Sequence, residues 1–441
     1  MAAARYLPQV ATRDLPRRVF ACVLLIAALF TALQALDYHQ DVPSNDTYQY
    51  AKQTLRILGE SPRDAVHGAT ELYCQDSGND ASAIAALETG GGTGASDYSS
   101  VFDACMYTYR DGLSPSSPRY LAIFTSRPGY PLLAAPLADA FGLRFGLWSA
   151  ALLSTLLASL LVLALLRAVG CGWWAAVVGQ GLYLAAPTGY WGSRMLTDGP
   201  SLATILLMLL GAVWMVRGRM RAGAAVLAAG LAAGFLVRYS SEQLAALLLA
   251  VGALLYWWRA RDGRTAGIRL LAITAGAGFV LTELLSTLLG WPGMTESMQD
   301  TFTKHFARPD VSDPVLRLIK SDVHLWIDYP VYEPTSLLAA LGLVLLAVVL
   351  VRREAIYGAL VVAAAATGLG AVVAHPVASQ TDRLMVAVWL LLALGLPPLF
   401  DRARTRPGVG GADASPESAQ LSVSQPSSKS LTAATLGEGA H

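Results

Sequence analysis

The run FGLWSAALLSTLLASLLVLALL, residues 145–166, decides the fold. Its 22 residues include no Asp, Glu, Lys or Arg. At about 1.5 Å per residue, a helix of that length reaches roughly 33 Å, enough for a bilayer core of about 30 Å. Hydrocarbon offers the backbone no water to bond, so the segment must satisfy itself as a helix. Comparable runs recur at 19–36, 173–190, 200–216, 222–237, 242–258, 269–290, 336–351, 355–374 and 384–400. The first follows Arg13, Arg17 and Arg18, as a signal peptide would, but it is long for one and further runs follow. It reads as a retained anchor.

Composition agrees. Of 441 residues, 54% are hydrophobic and 14% charged, where a soluble chain carries about 25% charge. Mean hydropathy is +0.46. Lys and Arg total 32 against 31 acids, so 32 − 31 = +1, which excludes a basic nucleic-acid binder. The reading is an all-α polytopic membrane protein of about ten spans. Its transmembrane domain covers 19–400, after a cytoplasmic segment 1–18 and before a polar, disordered cytoplasmic tail 401–441.

Arginines set the orientation. Arg167, Arg217, Arg219, Arg221, Arg259, Arg261, Arg264, Arg352, Arg353, Arg402 and Arg404 fall in alternate connections. The positive-inside rule then puts both termini in the cytoplasm and the loops 37–144 and 291–335 outside. Between residues 37 and 126 there are 12 acids and five Lys or Arg, as suits a translocated loop. Cys74 and Cys105 both lie there, and a disulfide between them is expected. Residues 77–117, rich in Gly, Ser and Asp, read as an irregular insertion. Lys occurs at only four positions, a bias that suggests a GC-rich bacterial genome and so a bacterial plasma membrane.

Chemistry-bearing residues gather at the outer connections. Ser44-Asn45-Asp46-Thr47-Tyr48-Gln49-Tyr50 opens an amphipathic stretch to Leu58, with Tyr50, Leu55 and Leu58 near one face. Asp46 could cap that helix or act as a general base. Arg127-Pro128-Gly129-Tyr130-Pro131-Leu132-Leu133 starts an apolar segment holding three prolines, expected to lie along the outer interface. In Thr197-Asp198-Gly199-Pro200, Asp198 could cap the next helix. Arg238 and Glu242 share a short turn and could pair with each other. Lys304, His305, His375, Asp382 and Arg383 complete the set. No His/Cys/Asp/Glu spacing fits zinc, and no nucleophile elbow is present. Arg127, Arg194, Arg238, Lys304 and Arg383 run against the prevailing charge bias. Several cations beside two acids suit an anionic lipid head group.

The order of these parts resembles the GT-C glycosyltransferases, the aminoarabinose-transferase and protein-mannosyltransferase relatives among them. The matching positions are Asp46 with Tyr50 four residues on, the Arg127–Leu133 segment, Thr197-Asp198, and Gly234-Phe235-Leu236-Val237-Arg238. The resemblance implies an inverting transfer from a polyprenyl-phosphate sugar to an extracytoplasmic glycan, lipid or protein. Asp46 would be the catalytic base. Arg127, Arg238, Lys304, His305 and Arg383 would bind the donor phosphate, and Asp198, Tyr130 and Glu242 would orient the acceptor. No cofactor and no metal would be required. A transporter or flippase, which would show an internal repeat, and a lipid-linked glycan ligase are the alternatives.

Overall fold

The computed structural model describes residues 16–39, 43–89, 94–114, 117–260 and 265–401. The expected tail 401–441 lies, except for Asp401, outside these residues. Every regular element among them is helical: α1 (Arg17–Leu36), α2 (Asn45–Ile57), α3 (Pro62–Thr89), α4 (Gly94–Thr108), α5 (Pro118–Thr125) and α6 (Gly129–Phe141). The bundle continues with α7 (Leu143–Ala168), α8 (Trp173–Ala185), α9 (Pro187–Ser193), α10 (Asp198–Val216), α11 (Met220–Arg259) and α12 (Ala266–Leu288). It closes with α13 (Met294–Phe302), α14 (Pro314–Tyr332), α15 (Pro334–Arg353), α16 (Ala355–Ala374), α17 (Thr381–Leu384) and α18 (Leu390–Phe400). The protein is an all-α, multi-pass membrane protein.

Among the described residues, eight helices are long and apolar enough to cross a bilayer. Nine of the ten expected runs fall within them, because α11 holds two. Its 40 residues are helical except at Arg238, where φ −162° and ψ 75° break the ladder. In a straight helix residues 234 and 242 would stand about 12 Å apart. Here Glu242 Cγ lies 2.1 Å from where a Gly234 Cβ would be, so only glycine fits and the chain must fold back. The run 173–190, expected as one helix, is instead α8 and α9. Ala186 is extended, as the residue before Pro187 tends to be, and each piece is too short to span alone.

The buried core joins α7, α10, α11 and α16 through Leu165, Leu206, Leu209, Leu249 and Leu360. Many other helical apolar side chains, such as Leu153, Leu284 and Leu345, face outward, as a lipid-facing surface requires. The two ends of the bundle differ in charge. α10 starts at Asp198 and its C-cap is Arg217, so these residues lie at opposite ends. Arg259, Arg352 and Arg353, in the last turns of α11 and α15, share the Arg217 end. Asp46, Arg127, Arg238 and Arg383 share the Asp198 end.

Within 77–117, expected to be irregular, residues 77–89 and 94–108 are helical. α3 and α4 form a hairpin joined by the Cys74–Cys105 disulfide, as expected from the cysteines. High Gly and Ser content suggested a loop, but the two helices lie against each other, with the Tyr98 ring of α4 over Gly78 of α3. Arg144, on the first turn of α7, anchors the hairpin through Asp76 at 2.6 Å.

Candidate anion site

Ser44 settles which residue caps α2. Its Oγ accepts from Thr47 N at 3.0 Å, leaving the Asp46 carboxylate free of the backbone. The buried face of α2 is Thr47, Tyr48, Tyr50, Ala51 and Thr54, while Leu58 is exposed, so the face expected from Tyr50, Leu55 and Leu58 is corrected. That rotation turns Asp46 toward the bundle end. Thr47 Oγ1 donates to Met195 O and Tyr50 OH meets Thr197 Oγ1, each at 3.4 Å, docking α2 on the turn before α10.

Asp46 Oδ2 accepts from Arg383 Nη1 at 2.7 Å. Arg383 also donates, through Nε, to Asp198 Oδ2 at 2.8 Å. Asp198 Oδ1 in turn takes Arg238 Nη1 at 3.3 Å. Asp198 is 2% exposed, and both its oxygens are committed to guanidiniums rather than to a helix cap. Arg238 sits at the fold of α11, and its expected partner Glu242 binds elsewhere. Glu242 Oε1 accepts from Thr204 Oγ1 at 2.7 Å and from Ser201 Oγ at 3.4 Å.

Arg127 reaches the cluster because the α6 segment lies directly on the fold of α11. A Cβ on Gly129 would come within 2.9 Å of Leu236 C, so only glycine permits this approach. The prolines do not interrupt the segment, since α6 runs through Pro136 as a helix of 13 residues, too short to span. Arg127 lies within electrostatic reach of the Tyr50 phenol, and its Nε has no hydrogen-bond partner among the described residues. Burial opposes the Arg127 charge, but Tyr50 and Asp46 outweigh it and hold the guanidinium above its ordinary value. Burial alone would raise the Asp46 carboxyl. Arg383, with Arg127 and Arg238 behind it, outweighs that and lowers it below the usual carboxylate range.

A second, more polar group flanks Asp46. Asn45 Nδ2 donates to Tyr120 OH at 2.7 Å, and the Tyr120 and His305 rings lie 4.8 Å apart. His305 Nδ1 meets Asp300 at 3.0 Å, which raises the imidazole above its ordinary value against the opposing effect of burial. Lys304, His305 and Phe306 all have positive φ, 53–61°, a left-handed turn costly for residues with a Cβ. Arg119 secures it, lying 4.3 Å over the Phe306 ring while pairing with Glu296 and Asp310. Burial lowers His375, whose Nδ1 meets Thr301 Oγ1 at 2.7 Å.

The structure thus brings together Asp46, Asp198, Arg127, Arg238 and Arg383 of the expected site residues. His305 lies beside them, Glu242 just beneath in the bundle. Lys304 points away, exposed. Tyr130 is buried, its hydroxyl donating to Leu147 O at 2.8 Å. Arg194 pairs with Asp37 at 2.9 Å, away from the cluster. Tyr50, Asn45, Tyr120 and Asp300 had no assigned role; the signal for Tyr50 was its place one turn beyond Asp46. Among the described residues no group of three or more His, Cys, Asp or Glu could hold a metal ion. Compared with family models, curated proteins and solved structures, the chain matches none.

Within the five-residue cluster the charges are Arg127, Arg238 and Arg383 against Asp46 and Asp198, 3 − 2 = +1. A buried surplus of positive charge is expensive unless an anion completes it. The arrangement can therefore receive an anion, with a carboxylate next to it able to take a proton.

Proposed function

We propose that the protein is an inverting glycosyltransferase of the GT-C kind, moving a sugar from a polyprenyl-phosphate donor to an extracytoplasmic hydroxyl acceptor. The observation that carries this reading is the cluster of three guanidiniums and two carboxylates at one end of a lipid-facing bundle. A phosphate on a polyprenyl chain combines the two properties that site would select: an anion and an apolar tail. The basic connections gather at the opposite end, which by the positive-inside rule supports an outer position for the cluster.

The chemistry follows from the contacts. A donor phosphate would draw the guanidiniums of Arg127, Arg238 and Arg383 to itself. As Arg383 turned toward the phosphate it would loosen its hold on Asp46, restoring the basicity which that pairing now suppresses. Asp46 would then take the proton of the acceptor hydroxyl. The oxygen would attack the anomeric carbon as the bond to the phosphate oxygen breaks, inverting that centre and releasing polyprenyl phosphate. The arginines would stabilise the charge developing on the leaving group in a site poor in water. Asp198 would keep Arg238 and Arg383 in register.

The test is transfer of labelled sugar from a panel of polyprenyl-phosphate sugars in membranes, for wild type and Asp46→Asn. Transfer lost in the variant with donor binding retained is expected. Equal transfer by both would remove Asp46 as the base, and donor movement across the bilayer without transfer would favour a flippase.

A further inference from the structure

Helix α14 carries three faces, and one of them meets no protein. Leu325 and Tyr329 pack with Val372 of α16 and Leu384 of α17. Arg317, Ser321, His324 and Asp328, spaced four, three and four residues apart, form a second, polar face. Val315, Leu316, Ile319, Val323, Trp326 and Ile327 form the third. Each of these six is between 39% and 64% exposed, so the described residues leave that face open.

A contiguous apolar stripe of this kind marks a contact surface. α14 does not itself cross the bilayer. Arg317, Lys320, Asp322 and Asp328 lie within it, and it is not one of the eight helices apolar enough to span. What adjoins it is the lipid-facing surface. α15 begins at Pro334, two residues after α14 ends at Tyr332, and Leu337, Leu338, Leu341 and Leu345 of that span are exposed. The last turn of α15, with Arg352 and Arg353, lies at the far end of the bundle, so α14 meets α15 at the cluster's end. A helix apolar on one side and polar on the other is stable lying flat, its apolar face about 5–10 Å into the boundary between head groups and acyl chains. Lys320, exposed between the two open faces, can extend its ammonium to the head groups along its alkyl stem. Trp326 suits the same depth.

α14 is also tied to the arginine cluster. The Tyr329 phenol donates to Asp382 Oδ1, and the next residue, Arg383, holds both Asp46 and Asp198. The helix that faces lipid is thus one hydrogen bond and one peptide bond from the site.

We propose that α14 is an interfacial helix, its apolar face seated in the phospholipid leaflet at the cluster's end of the bundle. The occupant of that face is the leaflet itself, not a second copy of the chain or another protein.

The experiment uses the full chain in phospholipid nanodiscs, with Cys22 and Cys171 replaced by alanine and the Cys74–Cys105 bridge retained. Single cysteines then carry an environment-sensitive fluorophore. Ile319→Cys, Val323→Cys and Ile327→Cys probe the apolar face, and Arg317→Cys, His324→Cys and Asp328→Cys the polar one. All six positions are exposed, so the packing of Leu325 and Tyr329 is left alone. Labels on the apolar face should emit at shorter wavelength and lose most of their emission to a lipid nitroxide near the head-group end of the acyl chain. They should lose less to a nitroxide near the methyl end, and little to iodide in the water. Labels on the polar face should be quenched by iodide and hardly by either lipid. Iodide reaching both faces equally would overturn the proposal, as would stronger quenching from the methyl end, which would make α14 a span. An apolar face shielded from both iodide and lipid would overturn it in favour of a protein partner, a second copy if Val323→Cys yields a disulfide-linked dimer. No donor is added, so the outcome is independent of the glycosyltransferase reading.

Discussion

Two of the places where arginine meets aspartate among the described residues differ in their count. At the hairpin, one Arg144 meets one Asp76 at 2.6 Å, with the carboxylate 1% exposed. At the bundle end, three guanidiniums share two carboxylates, with Asp46 27% and Arg383 13% exposed. The first pair is balanced and closed, and it ties α3 to α7. The second is unbalanced and partly open, and it ties together segments distant in sequence: α2, α10, the fold of α11 and α17. A balanced buried pair carries no surplus charge, so its role is to hold the hairpin. An unbalanced one has charge to offer. Counting charges at each burial separates a structural ion pair from a candidate binding site.

The largest effect is expected at Asp46. Asp46→Asn should cut sugar transfer about 10³-fold, the size of general-base loss, and by raising the positive surplus leave phosphate binding equal or tighter. Weaker phosphate binding in that variant would erase the contrast, because Asp46 would then be a support of the arginines. Next comes Arg144→Ala. It leaves a buried carboxylate unpaired and should cost on the order of 3–5 kcal/mol of stability, measured by thermal or denaturant unfolding in detergent. Transfer per folded molecule should not change. A variant that loses transfer but not stability would place Arg144 with the site instead.

Cys74→Ser removes a bridge with a sequence separation of 31 and should cost about 3 kcal/mol, confined to the α3–α4 hairpin. Limited proteolysis would read this as cleavage within 62–108 while the bundle stays intact. The smallest effect concerns His305. Its folded value is raised above 6.5 by Asp300, so the pairing contributes stability that is fully present below 6.5. That contribution is lost as pH rises through the folded value. The melting temperature of wild type should therefore exceed that of His305→Gln at acid pH, by a margin that narrows as pH rises. A pH-independent difference would show that His305 is held by packing.

The sequence disclosed the parts of this account that depend on local pattern. Charge-free runs such as 145–166 gave the multi-pass helical fold, since hydrocarbon leaves the backbone little choice. Asp46, Asp198, Arg127, Arg238 and Arg383 stood out because they are charges at helix ends on the side where arginine is otherwise scarce. What could not be read is pairing in space. Arg238 and Glu242 are four residues apart and invite a pair, yet the fold at Arg238 sends one to Asp198 and the other to Thr204. Asp76 and Arg144 are 68 positions apart, and no local pattern joins them. The hairpin was obscured by its Gly and Ser content, which suits a loop in isolation but is tolerated where two helices and a disulfide support one another. Tyr50 was legible only as the residue one turn beyond Asp46, because its hydroxyl meets Thr197, 147 positions away.

The central claim is that the bundle end is an anion site for a lipid phosphate. The most direct measurement compares the affinity of wild type for a polyprenyl monophosphate and for the uncharged polyprenol of the same chain length. The account predicts at least a hundredfold preference for the phosphate, about 2.7 kcal/mol, falling toward parity when Arg127, Arg238 and Arg383 are all replaced by Gln. Equal affinity for the two lipids in wild type would contradict it: the arginines would then be structural, and the tail alone would account for binding.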